Sequence, residues 1–369
     1  RRRMSGISST GTAGFLQASA WARSGRGGLA IIGTLLALLL LAAIVAAAIG
    51  AAGIPVSRLP AALGFVPGGD AATLERDQLV LWSVRLPRIA VTIIIGALLA
   101  ASGAIMQGLF RNPLADPALV GVSSGGALGA ATVIVLGDRL LTGSGMTLPF
   151  QLLPVAAFAG ALVTTFILHR LATRENRTSI AVFLLGGIAL GALANAGIGI
   201  LVFVADDRQL RDVTFWLLGS LGGATWEKAA ILAPFLVALL AASPFIARGL
   251  DLLVLGEAEA FHMGVEVERL KRWSIVLVAA LPGAAVAFAG VVGFVGIIVP
   301  HLLRIVIGPG HRRLLPASAC LGAILLVCAD TFARTIAAPA EIPIGVLTAL
   351  VGAPFFLAIL LRQRSAIGL

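Results

Sequence analysis

The chain has 369 residues, 59% of them hydrophobic and 12% charged, with a mean hydropathy of +1.03 and a net charge of +10. A soluble globular domain carries about 25% charged residues, so a water-facing fold is excluded and most of the surface must meet lipid or other helices. Multi-pass membrane proteins gather such a positive excess in cytoplasmic loops, so it does not call for a nucleic-acid partner.

Residues 1–28 read as a basic, Ser/Gly-rich cytoplasmic segment. Charge-free windows follow at 27–57, 89–110, 117–137, 140–168, 178–205, 229–247, 273–303, 314–329 and 342–361. The first apolar run is longer than the roughly 7–15 residues of a signal-peptide core and reads as a span. The seventh window exceeds the roughly 20 residues a span needs and holds Pro282, Gly293, Gly296 and Pro300. With Pro300 expected to break the helix, it divides into a full span and a short one over residues 295–307. The expectation is an all-α integral membrane protein with ten transmembrane helices in a permease domain over residues 29–363, followed by a tail at 364–369. About two-thirds of the basic residues then fall on one side, which places both termini in the cytoplasm. Cys320 and Cys328 lie about 12 Å apart along one helix, too far for a disulfide, and read as packing residues.

Polar residues punctuate this apolar chain. Asn112-Pro113-Leu114-Ala115-Asp116-Pro117 interrupts it after the second span, at a depth where broken helices mark a pathway. Arg85-Leu86-Pro87-Arg88 precedes that span, with Pro87 suited to a helix's first turn. These arginines serve either to snorkel to headgroups or to dock an acidic external partner. Arg334 joins them, with Asp330 as an i,i+4 partner. The fifth window holds Gly187 and Gly191 in a GxxxG pair, with Asn195 and Gly199, for close packing or for a smooth wall beside a bulky solute. Residues 211–220 with Trp226 read as interfacial anchors or as a short re-entrant or surface helix. Residues 251–272 read as a short amphipathic helix, a turn at Gly264 and a second short helix, either solvated or laid into a cytoplasmic partner's groove.

No enzyme constellation is present. The four histidines show no metal-ligand spacing, and neither lysine, Lys228 nor Lys271, follows a glycine as a P-loop requires. ATP-driven movement would therefore need a separate motor subunit.

In order along the chain come Arg85-Leu86-Pro87-Arg88, Gln107 through Pro117, Gly121-Val122-Ser123-Ser124-Gly125, Phe215-Trp216 with Gly219-Ser220-Leu221, and Leu255-Gly256-Glu257-Ala258 with Gly264-Val265. Gly293-Phe294-Val295-Gly296, Val299-Pro300-His301, His311 through Pro316, Ala329-Asp330, Ala333-Arg334 and Glu341-Ile342-Pro343-Ile344-Gly345 complete the series. Over nearly its whole length the chain resembles the FecCD-like permease subunits of ATP-dependent importers for iron–siderophores, heme and cobalamin. The resemblance implies a type II importer permease in the bacterial inner membrane. Its partners would be a second copy of itself, two cytoplasmic ATPase subunits that bind ATP and magnesium, and a periplasmic binding protein. It also implies that Arg85, Arg88 and Arg334 dock the binding protein, and that Leu255, Gly256, Glu257, Ala258 and Gly264 couple to the ATPase. Gly187, Gly191, Asn195, Gly199, Gly345 and Thr348 would lie on the path formed by the fifth and tenth helices. Gly310 departs from a common Asp and removes a possible loop contact.

Residues 205–212 with the following Phe215-Trp216 look most like the heme branch, so the leading reading is heme import. A ferric-siderophore or cobalamin permease is the alternative, and an ion-coupled secondary transporter is the alternative of another class. The near absence of carboxylates in the spans weighs against ion coupling. On the docking reading, charge reversal at Arg85 and Arg88 should weaken stimulation by the binding protein and spare basal ATP hydrolysis.

Overall fold

The computed structural model describes residues 25–50, 53–67, 70–137, 152–175 and 177–367. The basic N-terminal segment is therefore described only from Gly25, and its remainder lies outside the described residues. Helices dominate in chain order: α1 (Gly25–Ala48), α2 (Ala71–Val80), α3 (Leu86–Leu109), α4 (Val122–Thr132), α5 (Leu152–Ala172), α6 (Ile180–Val204), α7 (Asp207–Leu218) and α8 (Trp226–Leu253). They continue with α9 (Glu257–His262), α10 (Val267–Ala289), α11 (Val295–Ile307), α12 (His311–Ile336) and α13 (Ile344–Ile367). A two-residue antiparallel pair, β1 (Thr173–Arg174) with β2 (Arg177–Thr178), turns the chain between α5 and α6. Among the described residues, seven helices are long and apolar enough to cross a membrane. Val122–Gly137, Val295–Ile307 and Ile344–Ile359 are shorter apolar helices. The protein is a multi-pass membrane protein.

α3 is the axis of the bundle and is buried on all sides by α8, α10, α11 and α12. Its sequence explains why, since Ala and Gly recur around the helix and let neighbouring backbones approach. A Cβ added at Gly96 would lie 2.4 Å from the Gly322 carbonyl oxygen, and one at Gly103 only 2.0 Å from that of Gly296. α6 and α13 are packed on one side only and leave Leu185, Ile188, Leu193, Ile200, Leu350 and Val351 exposed.

Proline sites differ from the sequence expectation in an instructive way. Pro87 stands in the first turn of α3, as its sequence suggested, but α3 does not start free, because a π-turn at Leu81–Arg85 joins α2 to it in one continuous run, Ala71–Leu109. The Leu86 amide reaches five residues back to Leu81 O, and the widened turn absorbs the proline. The short α11 is present over residues 295–307, but the break that creates it lies at Gly290–Phe294 rather than at Pro300. Gly290 has φ +69° and Phe294, a rare left-handed non-glycine, has φ +67°. Pro300 sits inside α11 and cannot donate to Gly296 O. The amide of buried Gln107 on α3 donates to that carbonyl instead, at 3.3 Å. Cys320 and Cys328 are free thiols.

Candidate functional site

Three clusters stand out, one at each end of the bundle and one on the α6–α13 side. At the first end, Arg88 on α3 donates to Asp330 on α12 from Nε at 3.0 Å and Nη2 at 2.7 Å. It also donates to Glu341, in the loop before α13, from Nη1 at 2.8 Å and Nη2 at 2.9 Å. Asp330 is buried and Arg88 is largely covered. Those bonds hold the Glu341 carboxyl below the usual carboxylate range. Arg334 Nε stands 3.8 Å from Asp330, as its spacing foretold, but Arg88 is the principal partner of that carboxylate. Arg85 and Arg334 have a further task that sequence spacing did not show. Arg85 Nη1 donates to Ala47 O and Arg334 Nη2 to Ala46 O, so two guanidinium groups cap the C-terminal carbonyls of α1. Gly50 leaves room for both, since a Cβ there would stand 3.1 Å from a nitrogen of each. The three arginines assigned to docking thus lie together, with Arg85 buried and all three engaged inside the chain.

At the opposite end, α8 runs on to Leu253 and the chain turns at Gly256, φ +126°, into α9. Gly264, φ +85°, ends the turn after α9. The expected second short helix is not separate, because its residues are the first turns of α10. α9 is pinned from below by Lys271. This buried ammonium donates to Glu257 Oε2 at 2.7 Å, to Glu268 Oε1 at 2.9 Å and to Thr178 O at 3.4 Å. The Thr178 amide donates to Glu268 Oε2 at 3.2 Å. One lysine therefore joins α9, the start of α10 and the β-turn that leads into α6. Leu255, Phe261 and Met263 remain exposed on this unit. Beside it opens a cavity of about 1020 Å³, lined among others by Arg111, Arg177, Glu257, Phe261, His262 and Lys271. Next to it, Asn112 Oδ1 accepts from Leu114 N at 3.0 Å and Asp116 Oδ1 from Ala118 N at 2.7 Å. These two Asx turns fold the proline-rich run. Burial raises the Asp116 carboxyl above its ordinary value.

His311 has a carboxylate partner that comes from another helix. Asp251 Oδ1 on α8 accepts from both the backbone N and the ring Nδ1 of His311, each at 2.7 Å. Arg304 Nη2 lies 3.4 Å from Nε2. Gly310 is the N-cap of α12 and supplies no side-chain acceptor. The carboxylate missing at that position is replaced by Asp251 from another helix.

On the remaining side, Gly187 is buried and Gly191 lies close to α4, where an added Cβ would be 3.5 Å from Ser124 Oγ. Asn195 and Gly199 are exposed, and Gly199 faces open space. Gly345 and Thr348 are engaged within the chain. A Cβ at Gly345 would meet Leu218 O at 2.5 Å, and buried Thr348 bonds Gly345 O at 3.1 Å. Of residues 211–220, for which anchors and a short helix were both open, 211–218 belong to α7, which is entered through an Asp206/Gln209 capping box. Among the described residues no group of three or more His, Cys, Asp or Glu side chains is placed to hold a metal ion.

The FecCD transport family matches the chain over residues 35–362. The hemin transport system permease protein HmuU of Yersinia pestis is 45% identical over 293 residues, 77% of this chain and 84% of that protein. The cobalamin import system permease protein BtuC of Halobacterium salinarum is 44% identical over 290 residues, covering 79% and 75%. The Fe(3+) dicitrate transport system permease protein FecD of Escherichia coli is 40% identical over 285 residues, covering 77% and 86%. Among solved structures, an ABC transporter of metal-chelate type in an inward-facing conformation superposes with a TM-score of 0.77 at 33% identity, over 90% of this chain and 99% of that one. With the match running from the first apolar helix to the last, the chain belongs to the FecCD transport family.

Proposed function

We propose that this chain is the permease subunit of an ATP-driven importer that carries heme from a periplasmic binding protein across the bacterial inner membrane. It works as a homodimer of ten-span protomers, termini in the cytoplasm, by alternating access. The seven long and three short apolar helices support the span count. The one-sided packing of α6 and α13 supports a second copy lying against them around a central path. Gly199 and Asn195 face that path, whereas Gly345 and Thr348 hold the end of α13 in place.

The observation that carries the reading is the α9 unit, an apolar-tipped helix too short to be stable alone, braced by Lys271 against the entry to α6. A force applied to Phe261 and Leu255 by an ATPase reaches the path helix through the ammonium and Thr178. Gly264→Arg is therefore expected to strip the ATPase subunit from the complex during purification, since it places a side chain at φ +85° on the docking face. Normal co-purification would remove α9 from the coupling role.

Heme is favoured by α7. Arg208, Arg211, Asp212 and Phe215 share one helix face by their spacing, and Phe215 is 62% exposed. An open aromatic ring beside two arginines suits a flat apolar macrocycle with carboxylate arms. Proteoliposomes holding the complete complex should accumulate heme in preference to a ferric siderophore or cobalamin. Phe215→Ala with Arg211→Gln should cut heme uptake several-fold while sparing basal ATP hydrolysis. Preferred uptake of cobalamin or a siderophore would replace heme as cargo, and uptake without the ATPase would favour ion coupling.

A further inference from the structure

α8 and α10 touch near the α9 end, where a Cβ on Gly249 would come within 2.8 Å of both terminal methyl carbons of Leu270. Beside that contact their facing surfaces enclose a groove of about 680 Å³. α8 contributes Ala238, Ala242 and Phe245, and α10 contributes Leu270, Trp273 and Leu277. Both sets follow helical spacing, so each is a single stripe. The small alanines hollow one wall. Pro244 lies in the same stretch and cannot donate to Leu240 O, which accepts from the Ser243 hydroxyl at 3.1 Å instead. Such a proline bends a helix.

Length, aromatic placement and charge identify the occupant. From Ala238 to Arg248 the helix rises about 15 Å, the depth of one leaflet of a hydrocarbon core about 30 Å thick. Phe245 and Trp273 are exposed at the rim, and tryptophan prefers the headgroup level. Arg248 and Arg269 line the mouth with Glu266. Glu266 is already held by Arg269 at 2.8 Å, whereas exposed Arg248 has no ion-pair partner among the described residues. Basic pockets between membrane helices recognise acidic lipid headgroups.

We propose that this groove is a binding site for one anionic glycerophospholipid, with its phosphate at Arg248 and an acyl chain along Ala238, Ala242 and Leu277. Met263 and Gly264 form part of the mouth, so the bound lipid touches the turn after α9. The site does not depend on which cargo the protein carries.

The test is native mass spectrometry of the full-length protein released from nanodiscs of phosphatidylcholine containing a minority of phosphatidylglycerol. Wild-type protein should retain one phosphatidylglycerol per chain. Arg248→Gln should lower retention about fivefold, the worth of one arginine at an anionic lipid surface. Ala242→Phe, which fills the groove and leaves every charge in place, should lower it as well. Arg170→Gln removes an exposed arginine on α5 and should change nothing. Equal retention by wild type, Arg248→Gln and Ala242→Phe would overturn the proposal, as would an equal loss in Arg170→Gln.

Discussion

Gly103→Leu should leave no monodisperse folded protein to recover, and Gly96→Leu should do the same. At both positions the obstacle is backbone: Gly296 O would be 2.0 Å from a Cβ on Gly103, and Gly322 O 2.4 Å from one on Gly96. A core side chain can change rotamer to admit extra atoms, at a cost of about 1–3 kcal/mol. A carbonyl held in a helix has no such freedom, so α11 or α12 must move away from α3 as a body. Within lipid, helices associate through close packing rather than hydrophobic expulsion, so that separation removes the attraction itself. α3 is the common neighbour of four other helices, and the damage spreads to each of them. Gly33→Leu is the matched control, because nothing lies within 4 Å of a Cβ placed there. Size-exclusion profiles of the three variants in detergent decide the matter. A Gly103→Leu variant that elutes and melts like wild type would mean that α3 and α11 are not in contact.

Features governed by local chain chemistry were readable from sequence, and those governed by distant partners were not. The short α11 was expected from a window too long for one helix together with the proline inside it. The site of the break did not follow, because Pro300 is accommodated by Gln107, nearly two hundred residues away. The α9 helix and its glycine turn were legible because polar residues interrupted an apolar chain. The second short helix was misread because the charged first turns of α10 look the same before and after a chain break. The bracing role of Lys271 was not legible, as its three partners come from different segments of the chain. Asp251 and His311 are separated by 60 positions, and only packing shows that one caps the helix begun by the other. Arg85, Arg88 and Arg334 do lie together, but nothing in their spacing shows that two of them cap α1.

Arg88→Glu is expected to destabilise the whole permease, so basal ATP hydrolysis should fall with it, unlike the outcome that docking alone implies for reversal at Arg85 and Arg88 together. Arg88 is the principal partner of Asp330, whose side chain is 8% exposed. Reversal would leave that carboxylate buried beside a second one and near a third at Glu341. Removing one member of a buried ion pair costs about 3–5 kcal/mol, and the like charge adds to this. The melting temperature of the purified complex should fall by several degrees, with basal hydrolysis falling in parallel. Arg88→Met combined with Asp330→Asn should be milder than Arg88→Glu, because no unpaired charge remains. Acid titration separates the contributions further. Glu341 is held below its ordinary value by Arg88, so its stabilising effect is complete above about pH 4.3 and is lost as pH falls through its lowered value. In Arg88→Met that contribution is absent, and the acid-side decline in melting temperature should be shallower than in wild type. If Arg88→Glu instead melts like wild type and loses only stimulation by the binding protein, Arg88 acts at the docking surface and its bonds to Asp330 and Glu341 contribute little to stability.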